Sequence, residues 1–238
     1  MTTSNPYAFT DRLPAAQSPA AERAAFLTRV YGLVLAGVLT FAATLWAAGS
    51  VPVVQDMTAS LWGAIAGNRF GWLLYMGIMM GGFWLVHAVS QKAPLNLIAY
   101  FGWTFLLGLL TAPIVLFAAS AAPATLNMAA AITAAIFTGL TAIVLVTGKD
   151  FSFLRGVLGL LFWGLLVFAL ASWIWGFQAS VLWSSLAALL FAGYILYDTS
   201  EILHRYPTNM AVTAAVVLFT DVVYLFKQIL YLLLNRND

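Results

Sequence analysis

An all-α bundle of seven membrane-spanning helices is the fold this sequence predicts, and three observations predict it. Only 8% of the residues are charged against 63% hydrophobic, and mean hydropathy is +0.95. A soluble domain carries about 25% charged residues, so this chain could not cover its own surface in water. Seven stretches are apolar over about 20 residues, the length a helix needs to cross the hydrocarbon core. They run roughly over 29–50, 70–91, 95–118, 125–147, 153–174, 180–203 and 209–234. Turn-forming residues punctuate them: Pro52, GNRFG, KAP at 92–94, SAAPA at 120–124, TGKD at 147–150, Gly176 and RYPTN at 205–209.

Taken in order, residues 1–26 are polar, carry Pro6, Pro14 and Pro19, and read as a short mobile tail, with residues 27–238 forming a single transmembrane domain. The first span competes with a secretory signal, because WAAGS at 46–50 faintly resembles a cleavage site. Its apolar run is longer than the 7–15 residues of a signal core, and the segment before it is too long, so it reads as an uncleaved helix. Small residues recur inside the spans, as in YGLVLAG, MGIMMGG and FAGY. They let helix backbones approach closely where no hydrophobic drive exists between helices. Pro113 is expected to kink the third span. Trp46, Trp62, Trp72, Trp103, Trp173, Trp175 and Trp183 fall mostly near the ends of apolar runs, where aromatic belts form.

Orientation follows from the basic residues of short loops. With the N-terminus inside, Arg12, Arg23, Arg29, Lys92, Lys149, Arg155 and Arg205 lie on the cytoplasmic side, and Arg69 and Arg236 outside. Seven complete spans put the C-terminus outside; a re-entrant last helix would return it to the cytoplasm. The breaks are short, which leaves no room for a second domain. The net charge of +2 and the absence of a basic run argue against nucleic acid as a partner. With no cysteine and only His87 and His204, disulfide and thiol chemistry are excluded and a zinc site would have to lean on carboxylates.

The chemistry concentrates in two aspartates. Asp198 and Asp221 sit inside the sixth and seventh apolar spans. A carboxylate near the membrane centre costs about 2.5–3.5 kcal/mol on insertion scales, and such residues usually face a protein interior or a wet path. The turn between the spans centres near Pro207, which puts the two Cα atoms at depths differing by roughly 7 Å. Side chains lean toward their own helix N-terminus, so in antiparallel neighbours the tilts close that gap. Sequence leaves the rotational phase open. If the carboxylates meet, they cannot both ionise cheaply and titrate as a unit. Loss of the shared proton creates repulsion, relieved by opening the bundle or admitting a cation, and hard oxygen ligands suit Ca²⁺. The competing reading gives each aspartate a separate role, capping a kink or pairing with a basic residue.

Around Asp198 lie Tyr197, Thr199, Ser200, Glu201, His204 and Arg205. Asp198 and Glu201 share a helix face, and Glu201 and Arg205 are spaced for an ion pair. His204 adds pH sensitivity near neutrality, unless the cluster is simply a wet helix end. Lys227 follows Asp221 by about 240° of helical rotation, so the two do not share a face. A buried lysine in the last helix raises the idea of a retinal Schiff base, but the acidic counter-ion expected one turn before it is replaced by Val223. Snorkelling, or neutralisation of a neighbouring carboxylate, fits Lys227 better. No G-x-S-x-G, H-E-x-x-H or nucleotide loop is present, so an enzyme is not expected.

GLTAIVLVTGKDFSFLRG at 139–156, LFAGYILYDTSEILHRY at 190–206 and LFTDVVYLFKQILYLL at 218–233 resemble the Bax inhibitor-1 (transmembrane Bax inhibitor motif) family. The likeness covers the fourth to seventh spans closely and the first three loosely. The resemblance implies a seven-helix protein of the bacterial inner membrane that leaks calcium in a pH-sensitive way. It also implies that Asp198 and Asp221 are the pH-sensing pair. Some members set an arginine at the cytoplasmic end of the second span to lock onto that pair. Here LVHAVSQKAP offers only His87 and Lys92, leaving the lock weak, absent, or supplied by Arg205 or Lys227.

The expectation is therefore a bundle with its last helix central, conducting Ca²⁺ or protons, with no cofactor. Its partners are the bilayer, the ions and, for some family members, another membrane protein. Two rivals remain: a non-conducting regulator that binds a membrane protein such as a protease, and a proton-coupled transporter, for which no inverted repeat is evident.

Overall fold

Eight helices follow one another among the described residues, 13–90, 92–175 and 180–235 of the computed structural model. They are α1 (Ala20–Ser50), α2 (Pro52–Ala66), α3 (Gly71–Val89), α4 (Leu95–Ala121), α5 (Pro123–Thr147), α6 (Leu154–Trp175), α7 (Ser180–His204) and α8 (Ala211–Asn235). All but α2 are long and apolar enough to cross a membrane, and the protein is a polytopic helical membrane bundle. The sequence reading has no counterpart of α2. Pro52, read there as a break, occupies the first turn of this 15-residue helix. That is a position where the missing N–H costs no hydrogen bond, and 15 residues are too few to span the hydrocarbon core.

The N-terminal boundary also differs from expectation. Residues 1–12 of the expected tail lie outside the described residues, but α1 already begins at Ala20. The segment before it is docked rather than free. Pro14 bridges Pro207, Ala15 is fully buried, and the Ala15 N–H donates to the Tyr206 carbonyl at 3.0 Å. Thr208 Oγ1 donates to Glu22 Oε1. The start of α1 and the α7–α8 turn therefore share one end of the bundle.

The core is organised by α8. From Ala211 to Leu230 none of its residues is exposed, and the buried ones point in every direction around the axis. A helix apolar all round belongs at the centre of a bundle, and α8 packs against α1, α3, α4, α5 and α7. In contrast, α1 buries one stripe, Phe26, Val30, Val34, Gly37, Phe41, Thr44 and Ala48, at the three- and four-residue spacing of a single helical face. α6 lies at the periphery against α7.

Each of the three small-residue stretches supplies one close helix contact. A Cβ on Gly37 would fall 2.1 Å from the Tyr100 hydroxyl and 3.0 Å from the Phe219 ring, so only a glycine lets α1 meet α4 and α8 there. Gly82 lies against Trp103 and Gly193 against Leu158 in the same way. Two of the tryptophans assigned to a belt are tied inward by hydrogen bonds instead, Trp103 buried and Trp62 half-buried. Trp103 is 3% exposed and donates its Nε1–H to Thr220 Oγ1 at 3.0 Å, and Trp62 donates to the Leu109 carbonyl at 3.2 Å. An indole N–H inside a membrane protein needs an acceptor, and here it ties helices together. Trp46 and Trp175 are exposed on the bundle surface. α4 continues as helix through Pro113.

Candidate functional site

The site is built where α7 and α8 run antiparallel out of the turn at 205–210. On α7, Phe191 and Asp198 stand seven residues apart and so share a face. On α8, Asp221 and Tyr224 follow one another along an i, i+3 row. The two faces meet twice. Phe191 stacks on Tyr224, with ring centroids 4.8 Å apart and planes 9° from parallel. The carboxyl groups of Asp198 and Asp221 come within hydrogen-bonding reach of each other.

Asp221 is 7% exposed and Asp198 is half-buried. Asp221 Oδ2 has no hydrogen-bond partner among the described residues that could donate to it. Two ionised carboxylates offer each other only acceptors, so their contact becomes a hydrogen bond when one proton lies between them. The same proton relieves the repulsion of two facing charges in a low-dielectric interior. Neighbouring side chains fix the rotation of α8. Thr220, one residue before Asp221, accepts from Trp103 and donates to the Val216 carbonyl at 2.7 Å. Tyr194 and Tyr206 lie within electrostatic reach of both carboxylates. Burial, with Asp198 and Glu201 next in order, pushes the Tyr206 hydroxyl up to about 12, so it remains a neutral phenol beside the pair.

The four supporting residues divide. Glu201 faces Asp198 one turn along α7 and forms an ion pair with Arg205, Nε lying 3.0 Å from Glu201 Oε1. That is the only ion pair among the described residues, so Arg205 is engaged by Glu201 and does not lock the aspartates. His204 points away from them. Its Nδ1 lies 2.9 Å from the Ser200 carbonyl and its Nε2 3.1 Å from the Gly148 carbonyl. The ring can donate to both carbonyls only as an imidazolium. Lys227 departs furthest from expectation. It neither snorkels nor neutralises a carboxylate: it is 8% exposed, and Nζ donates to the Tyr75 hydroxyl at 2.9 Å. Its ammonium also stands 5.4 Å from the Tyr75 ring centre and 5.6 Å from that of Tyr224. The six-residue offset from Asp221 turns Lys227 toward α3 instead of α7.

Residues that the sequence reading did not single out complete the cluster. The α5–α6 turn docks on α7: Phe151 N–H donates to Ser200 Oγ at 2.8 Å, and the Ser152 N–H donates to Asp150 Oδ1 at 2.8 Å. Gly148 opens this turn with φ +61°, a left-handed cap that a side chain would strain. Tyr224 was detectable, being three residues before Lys227 on the same face. Tyr75 gave no such signal, since it comes from a distant span.

As a metal site the pair is small. Two carboxylates offer fewer oxygens than the about six to eight that Ca²⁺ takes, and no group of three or more acidic, histidine or cysteine side chains gathers among the described residues. Two carboxyl groups in contact can share or exchange a proton; they do not build a closed cage.

The family described as "Inhibitor of apoptosis-promoting Bax1" matches residues 23–238. An "Uncharacterized membrane protein" of Vibrio cholerae is 36% identical over 116 residues, 46% of this chain and 50% of that protein. "Bax inhibitor 1" of Schizosaccharomyces pombe is 37% identical over 117 residues, 46% of this chain and 43% of that protein. The chain thus spans about half the length of these two relatives. A "Golgi anti-apoptotic protein" of vaccinia virus is 30% identical over 220 residues, 90% of this chain and 87% of that protein.

Proposed function

We propose that this chain, which belongs to the Bax inhibitor-1 family, is a pH-sensitive calcium leak gated by protonation of the Asp198–Asp221 pair. The observation that carries the reading is the meeting of two carboxyl groups on the central helix pair of a membrane bundle, where Asp221 Oδ2 has no other hydrogen-bond partner among the described residues. With the proton in place the α7–α8 contact is a hydrogen bond and the pair is closed. Without it, two negative charges face each other in the interior. Their repulsion is relieved by a divalent cation between them or by separation of the helices. Cation flux therefore rises as pH rises.

The same reading sets the protein in a bacterial inner membrane. Its N-terminus is cytoplasmic, as the seven basic residues on that side favour. The end that carries Glu22, the α5–α6 turn and the α7–α8 turn is then the cytoplasmic one. It treats the protein as a conduit and not an enzyme, with Ca²⁺ and protons as its cargo.

Ca²⁺ entry into dye-loaded proteoliposomes across a pH series tests the reading with wild type, Asp198→Asn and Asp221→Asn. A flux that titrates in wild type and loses its pH dependence in both variants supports it. Asp221→Asn protein that is folded yet keeps the full pH response sinks the gate. No flux at any pH from folded wild type favours the non-conducting regulator that binds another membrane protein.

A further inference from the structure

A lysine side chain buried in a membrane protein needs either a carboxylate or a set of weaker partners. Lys227 has the second. Its one hydrogen bond goes to the Tyr75 hydroxyl, a neutral group, and its remaining surface is turned to the rings of Tyr75 and Tyr224. No carboxylate forms an ion pair with it among the described residues. The positive charge is therefore held in the interior by cation–π contacts and one hydroxyl, and nearby acids do not cancel it.

Its position gives that charge a consequence. Lys227 lies six residues beyond Asp221 on the central helix, roughly 9 Å further along the axis toward Asn235. The residue between them on the i+3 row, Tyr224, is stacked on Phe191 of α7, and its hydroxyl reaches Met79 Sδ of α3 at 2.8 Å. On the Asn235 side of the aspartates, α8 thus carries a row of aromatic contacts to α7 and α3 with an ammonium in it. A cation path that runs along this face of α8 on that side of the pair passes this row.

The structure assigns Lys227 the role of a tethered internal cation that bars the ion path and sets its charge selectivity, with Tyr75 and Tyr224 as its holders. This rests on the leak reading above. An electrostatic barrier scales with the charge of the crossing ion, so it slows a divalent ion more than a monovalent one. Removing the charge must then accelerate Ca²⁺ more than K⁺, whereas a mere loosening of packing accelerates both alike.

The test measures Ca²⁺ and K⁺ flux in proteoliposomes of purified wild type, Lys227→Met and Lys227→Arg, each confirmed monodisperse and helical. Lys227→Gln replaces the methionine variant if that protein does not fold. The expected result is Ca²⁺ flux raised at least about tenfold in the neutral variant, a smaller gain for K⁺, and wild-type behaviour for Lys227→Arg. Unchanged flux, or equal gains for both ions, overturns the assignment and leaves the leak reading standing if wild type conducts. If wild type is silent while Lys227→Met conducts, the barrier stands and the leak reading of the wild-type protein falls. Silence from both removes the two together.

Discussion

Asp221 and Lys227 lie on the same central helix, are almost equally buried at 7% and 8% exposure, and are accommodated in opposite ways. Asp221 meets a second carboxyl, a partner that repels it unless a proton intervenes. Lys227 meets a hydroxyl and two aromatic faces, partners that hold its charge without cancelling it. Opposite charges on adjacent turns would be expected to find each other, and the sequence reading allowed this. The six-residue offset prevents it by turning one side chain toward α7 and the other toward α3. The comparison teaches that a buried charge in this bundle is read by its helix face, not by its distance along the chain.

Both regions depend on α8 being clamped, and the largest expected stability effect attacks that clamp. Gly37→Val places a side chain where the Tyr100 hydroxyl and the Phe219 ring already stand. It should lower stability by about 3 kcal/mol, the upper end for overpacking, seen as a lower unfolding midpoint in detergent. Next, Tyr75→Phe keeps the ring beneath Lys227 and removes its hydrogen bond. A hydrogen bond to a charged group contributes about 1.5–3 kcal/mol, so this variant should cost about 2 kcal/mol, while Asp221 keeps its contact with Asp198. A change in the pH response of flux as large as that of Asp221→Asn would show that the two regions are not separate.

A smaller effect is expected from Arg205→Ala. The Glu201–Arg205 pair is formed by a half-exposed arginine at a helix end, and such pairs are worth under about 1 kcal/mol. If Arg205 locked the aspartates, the variant would instead alter the flux–pH curve. The smallest effect concerns the α5–α6 turn. The Ser152 backbone N–H, aided by His204 and Arg205, holds the Asp150 carboxyl below its ordinary value of 3.8. A carboxylate lower in the folded state adds stability above its unfolded value, and this is lost as pH falls through the folded one. Protection of the Ser152 amide, taken against the exchange of a free amide at the same pH, should persist down through the ordinary carboxylate value of 3.8 and be lost only below it, and Asp150→Asn should remove that step.

Much of the frame was legible because hydropathy and helix length are local quantities. The seven spans follow from apolar runs, and Asp198 and Asp221 stand out because acids are costly in such runs. The central place of the last helix is expected only after the family resemblance, and the burial all round α8 agrees with it. What was not legible depends on geometry across helices. The rotational phase that joins Asp198 to Asp221, and Lys227 to Tyr75, is set by packing at Gly37 and by the Trp103–Thr220 hydrogen bond, contacts between residues far apart in the chain. Trp103 reads as a belt residue by composition and is a core strut by contact. Pro52 signals both a break and the start of a helix, which is why α2 was missed. The docking of Ala15 on Tyr206 has no periodic signature at all.

The shared proton is the claim on which the rest stands, and infrared spectroscopy of the protein in lipid reads it most directly. The carboxyl band of isotope-labelled aspartate should be followed across pH in wild type, Asp198→Asn and Asp221→Asn. The account predicts that the two carboxyls titrate as one unit, so that loss of either aspartate moves or abolishes the titration of the other. Two independent titrations, each indifferent to removal of its neighbour, would contradict it.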